Sequence, residues 1–361
     1  MQHPRPVRVR ISDVASSAGV SKSTVSIAFN NPERLSPETS ARIRHVAEEL
    51  GYRPNPVARM LAQRHTSTIG ILTPQALVVD FANPFFGMFS QGVASVAEEF
   101  GYGLLFVSPL HGSLARAVGR ASVDGFVAIG LGEDHPDVEH VRNAGLPIVL
   151  VDSAAFPEHG SVTVDDEGGA FAAAEHLLDL GHTEFLVLAV DPPNVASDDV
   201  PASLLLDGVG VMARRLRGYR RALDARGVHV PDENILSGPA SLEGGIAAFE
   251  RALDAGLHFT AVLAMSDVIA IGVMHAAQAR GIDIPGDLSV VGFDNIDEAE
   301  YQHPPLTTVH QPVREKGAEA ARLLLDVVDR RDYAKPEHRL LETRLVTRAS
   351  TAPLTVADRR W

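Results

Sequence analysis

The stretch ISDVASSAGVSKSTVSIAFNN, residues 11–31, decides the fold of the N-terminal part of the chain. Ser12 is placed to cap a first helix, and Gly19 supplies the tight turn that ends it. Ser21 is placed to cap a second helix, on which Val25 is spaced to pack against the first. The pattern predicts two short helices joined by a tight turn, which is a helix-turn-helix.

A third helix follows, with a clear start and end. Ser36 is a cap residue, Pro37 suits the first helical turn, and Gly51 stands just past the last apolar position. Three short helices of this kind are typical of a DNA-binding head. A small three-helix bundle without a DNA role fits the same pattern, so the spacing leaves both interpretations open.

Charge separates this head from the rest of the chain. The net charge is −14, yet residues 1–65 carry ten Lys and Arg against five Asp and Glu, which leaves 22 basic and 41 acidic residues elsewhere. A uniformly acidic protein is repelled by DNA phosphates, whereas a basic head is not. A chance run of surface arginines remains the alternative.

Composition limits the class of protein. The chain has 361 residues, of which 45% are hydrophobic, and this length favours more than one core. It has no cysteine and no apolar run near the ~20 residues of a membrane helix. The N-terminus lacks the apolar segment of a secretory signal, so a cytoplasmic protein without membrane contact is expected.

A short helical pattern follows the third helix. Asn55 and Pro56 start it, and the run 57–63 is only about two turns long. Helices shorter than ~12–15 residues are marginal in water. This segment is therefore expected to fold only when a partner copy and a DNA groove hold it, although an ordinary linker helix fits as well.

Beyond residue 66, short apolar runs alternate with helical stretches. This alternation predicts an α/β body with parallel sheets, and its length favours two similar lobes with a ligand cleft at the carboxyl ends of the strands. The predicted strands are 69–73, 104–108, 126–129, 148–151, 185–190, 261–264 and 288–293, and the predicted helices are 87–100, 170–180, 216–225 and 268–280.

These runs resemble the lactose-repressor (LacI) family over nearly the whole chain. In the head and hinge the resemblance lies in GVSKSTVS (19–26), LGYRPNPVARMLA (50–62) and STIGIL (67–72). In the body it lies in NPFF (83–86), PIVLVD (147–152), HLLDLGH (176–182), RLRGY (215–219), SDVIAIGVMHAAQARGIDIPGDLSVVGFDN (266–295) and PPLTTVHQP (304–312). The implied fold is a small all-α helix-turn-helix head with two Rossmann-like parallel-sheet lobes, as in periplasmic sugar-binding proteins.

The resemblance implies a homodimer bound to a pseudo-palindromic double-stranded DNA operator. Lys22, Ser23 and Ile27 take the positions that read base edges in the major groove, and Leu61 takes the position of a minor-groove wedge. Ile27 departs from the polar residue frequent there and offers apolar contact alone. The full implied DNA-binding set is Ser12, Ser21, Lys22, Ser23, Thr24, Ile27, Asn30, Tyr52, Asn55, Ala58, Arg59 and Leu61.

The resemblance also implies a small polyhydroxyl effector, such as a sugar, bound between the lobes of a transcriptional repressor. The matching residues are Asn83, Phe85, Phe86, Asp152, Arg215, Ser266, Asp294 and Gln311. A core role for Phe85 and Phe86 and a turn role for Asp294 remain the alternatives. Ser266 stands where the family often has Asn, so one amide contact to the effector is missing.

An enzyme and a transport receptor are the alternatives. The chain has no GxGxxG after a strand, no GxxxxGK[ST], no HExxH and no GxSxG, so we expect no catalysis, no cofactor and no metal. Lone histidines such as His176 and His182 are expected to be structural. A solute receptor would carry a signal peptide in place of the basic head.

The expected domain boundaries follow from these patterns. They are a head at 1–54, a hinge helix and linker at 55–66, an N-terminal lobe at 67–181 with 312–337, a C-terminal lobe at 182–311 with 338–353, and a tail at 354–361. The long connection 191–212 before the RLRGY helix is expected to cover the cleft or to be disordered.

Overall fold

A computed structural model describes residues 9–53, 65–131, 135, 137–153, 158–191, 210–330 and 336–354. The contacts divide the chain into two compact units that meet at Thr66 and Ser67. The first unit contains the helical head. The second contains the α/β body.

Three helices build the head, as the sequence predicts. They are α1 (Ile11–Ala18), α2 (Lys22–Asn30) and α3 (Pro37–Glu49). Val14 on α1, Val25 on α2 and Ile43 on α3 are fully buried and meet in one small core. Because each helix is too short to be stable alone, this shared apolar contact holds the head together.

The caps of the head helices agree with the sequence in two of three cases. The hydroxyl oxygens of Ser21 and Ser36 accept hydrogen bonds from the third residue beyond each, at 3.1 and 3.2 Å. The prediction that Ser12 caps α1 is wrong, because the helix starts two residues earlier than a Ser12 cap requires. Arg10 holds the cap position, and its N–H donates to the Asp13 carboxylate at 2.8 Å.

The body contains twelve strands among its described residues. They are β1 (Thr68–Leu72), β2 (Gly103–Val107), β3 (Gly125–Ile129), β4 (Ile148–Val151), β5 (Gly160–Val164), β6 (Phe185–Val190), β7 (Ile235–Gly238), β8 (Ala261–Ala264), β9 (Ser289–Asp294), β10 (Thr307–His310), β11 (His338–Leu341) and β12 (Arg344–Val346). Each of the seven strands predicted from sequence is present to within one residue at either end.

The helices of the body alternate with these strands. They are α4 (Leu77–Asp80), α5 (Pro84–Glu99), α6 (Leu114–Val118), α7 (Val138–Arg142), α8 (Asp166–Asp179), α9 (Val211–Ala225), α10 (Leu242–Asp254), α11 (Asp267–Ala279), α12 (Asp297–Glu300) and α13 (Val313–Arg330). Helix α9 starts earlier than predicted, so Arg215 lies a full turn inside the helix and does not open it.

The strands form two six-stranded sheets, one per lobe. The first has the order β11-β5-β4-β3-β1-β2 and the second the order β12-β10-β9-β8-β6-β7. All neighbours are parallel except β10 and β12. The predicted fold class, a helical head and two parallel-sheet lobes, is therefore confirmed.

The helix pairs that cover the sheets approach one another closely at glycines. On α5, a Cβ added to Gly92 would stand 1.9 Å from the Arg314 carbonyl oxygen of α13. On α9, a Cβ added to Gly218 would stand 2.3 Å from the Glu167 carbonyl oxygen of α8. Because glycine has no side chain, the backbones of the two helices pack directly on one another, which fixes each helix against its partner helix.

The chain crosses between the lobes three times. It leaves the first sheet after β5, returns between β10 and α13, and crosses again between β11 and β12. Two expected boundaries are therefore wrong. Helix α8 packs on α9 and the second sheet, although it lies inside 67–181, and β11 pairs with β5 in the first sheet, although it lies inside 338–353.

Buried histidine fastens the end of the described chain to the second lobe. The imidazole of His182 hydrogen-bonds through Nδ1 to Thr260 Oγ1 at 2.9 Å and through Nε2 to the Ala352 carbonyl at 3.1 Å. His176 Nε2 lies 3.0 Å from Thr351 Oγ1. Both histidines therefore have the structural role expected of them.

Among the helices that the structure describes, none combines the length and apolarity required to cross a membrane.

Candidate functional site

The N-terminal turn of α2 forms the exposed end of the helix-turn-helix. Val25 and Ala28 are fully buried on one face of α2, whereas Lys22 and Ser23 are exposed at its N-terminus. Gly19 adopts the left-handed conformation, with φ of 65°, and so turns the chain from α1 into α2. The buried face fixes the helix, and the turn that carries Lys22 is left free for a partner.

This end of α2 is suited to an anion. The first N–H groups of a helix and its dipole favour negative charge, and the Lys22 ammonium adds a full positive charge there. Ser21 uses its hydroxyl to cap the helix at Thr24 and also lies 2.6 Å from Ser23 Oγ, so the three polar side chains are held as a group. Such a surface can contact phosphates and base edges.

The remaining head residues of the predicted DNA-binding set fall into two groups. Ile27 is half-buried, and Asn30 donates to Ser26 Oγ at 3.1 Å on the same helix. The Tyr52 ring packs on Phe29 with centroids 5.9 Å apart, and burial raises the pKa of its phenol. Tyr52 thus supports the core of the head. Asn55, Ala58, Arg59 and Leu61 lie outside the described residues.

In the body, four of the eight predicted effector residues join in one chain of hydrogen bonds and ion pairs between the lobes. The chain runs from Arg215 to Asp294, then through Gln311 to Lys316 and Asp152. Arg215 and Asp294 belong to the second lobe, and Lys316 and Asp152 to the first. Gln311 lies in the segment that crosses between them.

The second-lobe end of this chain is built around Arg215. Its Nε donates to Asp166 Oδ1 at 2.9 Å, its Nη1 donates to the Met265 carbonyl, and its guanidinium lies 3.6 Å from the centre of the Phe293 ring. Nη1 is also 3.7 Å from Asp294 Oδ1. These partners hold the guanidinium plane in one orientation at the carboxyl end of the second sheet.

Asp294 connects this cation to the crossing segment. It ends β9 with φ of 126°, and Gln311 Nε2 donates to its Oδ1 at 2.5 Å. Burial raises the pKa of Asp294, although Arg215 and the Gln311 hydrogen bond oppose the shift. Asp294 therefore shapes the turn at the end of β9 and also belongs to the ion-pair chain, because the left-handed backbone aims its carboxylate at Gln311.

Asp267 is a second buried carboxyl next to Asp294. It accepts hydrogen bonds from the Thr308 hydroxyl and from the Ile296 N–H, the latter at 2.9 Å. Burial raises the pKa of Asp267, and the nearby Asp294 charge raises it further. The second lobe therefore concentrates negative charge behind the cleft, compensated in part by Arg215.

Lys316 is the residue of this ion-pair chain that was not predicted from sequence. Its ammonium donates to Asp152 Oδ1 and Oδ2 at 2.9 and 2.7 Å and also to Gln311 Oε1. The side chain has no exposed surface. A lone lysine in an amphipathic helix is usually solvated. Its spacing of four and eight residues from the buried Ala320 and Leu324 was the signal that it faces inward.

Of the other four predicted effector residues, some have a structural role and others border the ion-pair chain. Asn83 Oδ1 caps α5 by accepting the Phe85 N–H at 3.0 Å. Phe86 packs edge-on against Phe81, with centroids 5.1 Å apart, and is buried, which favours its core interpretation. The Phe85 ring lies 5.5 Å from Lys316 Nζ and so borders the ion-pair chain.

Ser266 is the remaining member of the predicted set. It stands at the start of α11 and is buried, yet its hydroxyl makes no hydrogen bond within the described part of the chain. The Tyr219 hydroxyl, also buried, likewise finds no partner there. Buried hydroxyls usually bond to protein or water. Each of these two hydroxyls therefore keeps its hydrogen-bonding capacity for water or a bound molecule.

No group of three or more His, Cys, Asp or Glu side chains suited to a metal ion occurs among the residues described.

Comparison with known proteins agrees with both halves of this arrangement. A family model described as bacterial regulatory proteins, lacI family, matches residues 10–55, and a periplasmic binding protein-like domain matches residues 174–351. The transcriptional regulator DegA of Bacillus subtilis (strain 168) is 33% identical over 96% of this chain and 99% of its own. Catabolite control protein A of Priestia megaterium is 34% identical over 88% of this chain and 92% of its own.

Solved structures show the same likeness. The lac repressor dimer bound to operator and the anti-inducer ONPF is similar with a TM-score of 0.78 and 27% identity, covering 96% of this chain and 100% of that chain. The regulator CelR in complex with cellobiose has a TM-score of 0.69 and 29% identity, covering 95% and 100%.

A helix-turn-helix head followed by a two-lobed binding body defines a DNA-binding transcription regulator. The chain belongs to the lacI family of bacterial regulatory proteins. The curated relatives are transcriptional regulators, and the enzyme and transport-receptor alternatives are set aside.

Proposed function

We propose that the protein is a repressor that binds a pseudo-palindromic operator as a homodimer and that a small polyhydroxyl effector, such as a sugar, controls its operator affinity. The observation that carries this proposal is the chain from Arg215 through Gln311 to Asp152, because it joins the two lobes at the place where an effector would bind. A ligand that replaces any of its contacts changes how the lobes are held together.

For the operator, the exposed N-terminal turn of α2 supports direct contact. Lys22 suits the O6 and N7 acceptors of guanine, Ser23 suits either kind of base, and Ile27 offers an apolar surface to a thymine methyl group. Two copies related by a two-fold axis would read two inverted half-sites. The likeness to the lac repressor dimer on its operator supports this assembly.

The hinge is proposed from sequence alone. Leu61 would enter the minor groove as a wedge, with Ala58 and Arg59 beside it, and opening a base step in this way costs a few kcal/mol, offset by contacts to the bent DNA. If Leu61→Ala leaves both the operator affinity and the DNA bend unchanged in a gel-based bending assay, this role is wrong.

For the effector, the cleft offers two carboxylates, two buried cations and, at Ser266, a hydroxyl without a partner among the described residues. Asp152 and Asp294 can accept from ligand hydroxyls, and Ser266 can donate or accept. Phe85 borders the site with an aromatic ring, a common wall for the apolar face of a sugar. The cellobiose complex of the similar regulator CelR supports a sugar as the class of ligand.

The size of the control follows from the difference in effector affinity between the two states of the body. A coupling free energy of about 1–3 kcal/mol changes operator affinity about 5–150-fold. The operator lies on the chromosome, so we place the protein in the cytoplasm, at the nucleoid.

The test begins with the DNA. An operator is selected from a random duplex pool with the full chain, and its affinity is measured by fluorescence anisotropy. A panel of pentoses, hexoses and disaccharides is then screened by thermal shift, and each hit is added to the anisotropy assay. We expect at least one hit to change the operator Kd at least about fivefold. Hits that leave the Kd unchanged contradict effector control.

A further inference from the structure

Lys316 is unusual in this protein. The chain has only three lysines, at positions 22, 316 and 335. The side chain of Lys316 is fully buried, although lysine is almost never fully buried unless it is paired. A buried ion pair adds little net stability over a well-packed apolar pair. The pair that Lys316 makes with Asp152 therefore calls for a role other than stability.

The position of the pair points to the cleft. Asp152 follows the last residue of β4 and adopts φ of 51°, so its side chain leaves the carboxyl end of the first sheet. Lys316 lies in the first turn of α13, just after the chain has crossed from the second lobe. Gln311 joins the pair to Asp294. Each lobe thus contributes one carboxylate and one cation to the same chain.

At the Lys316–Asp152 pair, the hydrogen-bonding positions that remain unused are acceptors. The three N–H bonds of Lys316 already have three acceptor atoms, on Asp152 and Gln311. Within the described part of the chain, Lys316 alone donates to the Asp152 oxygens, so each oxygen keeps a lone pair free. A ligand hydroxyl can donate to these lone pairs. A carboxylate or phosphate group cannot, and it would bring negative charge close to both Asp152 and Asp294.

We propose that Lys316 is a specificity-determining residue that restricts the cleft to uncharged polyhydroxyl effectors. By neutralising Asp152, it lets that carboxylate accept ligand hydroxyls without requiring a positive charge on the ligand. Amino sugars are disfavoured because the pair has no net negative charge to offer them, and acidic sugars because all three N–H bonds of Lys316 are already used by Asp152 and Gln311. This inference rests on the proposed control by a polyhydroxyl ligand.

Removing one member of the pair should switch the preferred ligand charge. Without Lys316, Asp152 is an uncompensated, part-buried carboxylate, which favours a ligand with an ammonium group. Without the Asp152 charge, Lys316 is an uncompensated buried cation, which favours a ligand carboxylate. Hydrogen bonds to a charged partner are stronger than neutral ones by an amount worth about tenfold in affinity.

The test uses the full-length protein and calorimetric titration with matched sugars. For the gluco, galacto and manno configurations, the neutral hexose, the 2-amino sugar and the uronic acid are each titrated. We expect the natural protein to bind a neutral member at least about tenfold more tightly than its charged counterparts. Lys316→Met should reverse the order in favour of the amine, and Asp152→Asn should reverse it in favour of the acid. Arg322→Met, on the exposed side of the same helix, is the matched control and should keep the original order.

The two substitutions make the test robust, because each gives an opposite shift and either one alone decides the question if the other fails to fold. Tightest binding of an acid or an amine by the natural protein overturns the role of Lys316, and so does an unchanged order in the folded variants. In both cases control of operator affinity by a ligand can still hold. Failure of every hexose, neutral or charged, to bind contradicts the inference, and the proposed function fails separately if no ligand changes operator affinity.

Discussion

Arg215 and Asp166 form an ion pair in which the guanidinium Nε donates to Oδ1 at 2.9 Å, and the Asp166 side chain has no exposed surface. Arg214 shares this carboxylate through a second contact at 2.9 Å. The pair links α9 to α8 at the carboxyl end of the second sheet, so it stabilises the packing of these helices as well as the cleft.

Replacing Arg215 by methionine should destabilise the body by about 3 kcal/mol. The buried Asp294 then loses its nearest cation and Asp166 loses one of its two, and removing one partner of a buried pair costs about 3–5 kcal/mol. Urea unfolding followed by circular dichroism measures the change. Arg220→Met removes an exposed partner of Asp232 on the same helix and should cost less than about 1 kcal/mol. Equal losses in both variants would show that the buried pair adds nothing special.

The glycine contacts predict a second difference between neighbouring substitutions. Gly92→Ala should destabilise the body by about 3 kcal/mol or more, since the new methyl group would overlap the Arg314 carbonyl and the two helices must separate. Gly87→Ala on the same helix meets no atom within 4 Å and should stabilise it by up to about 1 kcal/mol through helix propensity. Melting temperatures of the two variants test this, and a similar value for both would refute the close helix contact.

His182 predicts how stability depends on pH. Burial lowers its pKa below the ordinary value of 6.5, which the backbone hydrogen bond to Ala352 only partly offsets. Below pH 6.5 the unfolded chain therefore takes up the proton before the folded protein does, and stability is lost as the pH falls. Asp267 and Asp294 have raised pKa values, so they keep their protons in the folded protein at pH values where the unfolded chain has lost them. Their contribution to stability therefore falls as the pH rises above the ordinary Asp pKa.

A histidine variant isolates this contribution. His182→Gln should lose less stability than the natural protein when the pH is lowered from about 7.5 to about 5.5, measured as the free energy of unfolding at each pH. His275→Gln replaces an exposed histidine of α11 and should keep the natural slope. If the His182 variant keeps the natural slope, the pKa of this imidazole does not differ between the folded and unfolded states.

Lys22 predicts a salt effect. If its ammonium contacts a phosphate or a base, Lys22→Ala should weaken operator binding and reduce the slope of log K against log salt by about 1, because one fewer counterion is released. Lys22→Arg keeps the charge and should keep the slope. Anisotropy titrations from low to moderate salt give both numbers, and an unaltered slope in the alanine variant argues against a direct contact.

The short buried strands could be predicted closely from sequence because local pattern defines them. The runs 148–151 and 261–264 coincide with β4 and β8, since each is a block of apolar residues bounded by breakers. Strands β5 and β11 were not predicted from sequence. Polar residues interrupt both, and β11 exists through pairing with β5, a partner more than 170 residues away along the chain.

Site residues could be predicted where a polar residue stands at the end of an apolar strand, as with Asp152 and Asp294. They could not be predicted where tertiary packing decides. The spacing of Lys316 places it on the apolar face of its helix, but local pattern does not reveal its partner, Asp152, which is 164 positions away. Asn83 and Phe86 stand at plausible positions, yet helix capping and core packing account for their side chains.

The three crossings between the sheets have a consequence for the way the body comes apart. Each crossing has at most two residues between the flanking elements, and neither lobe is a continuous piece of chain. A protease that cuts one surface loop therefore cannot release a lobe, because both fragments still contribute elements to shared sheets. A lobe produced on its own would have to be spliced from separated segments. A nicked protein should accordingly stay assembled until it is denatured, because three short crossing segments keep the two lobes joined.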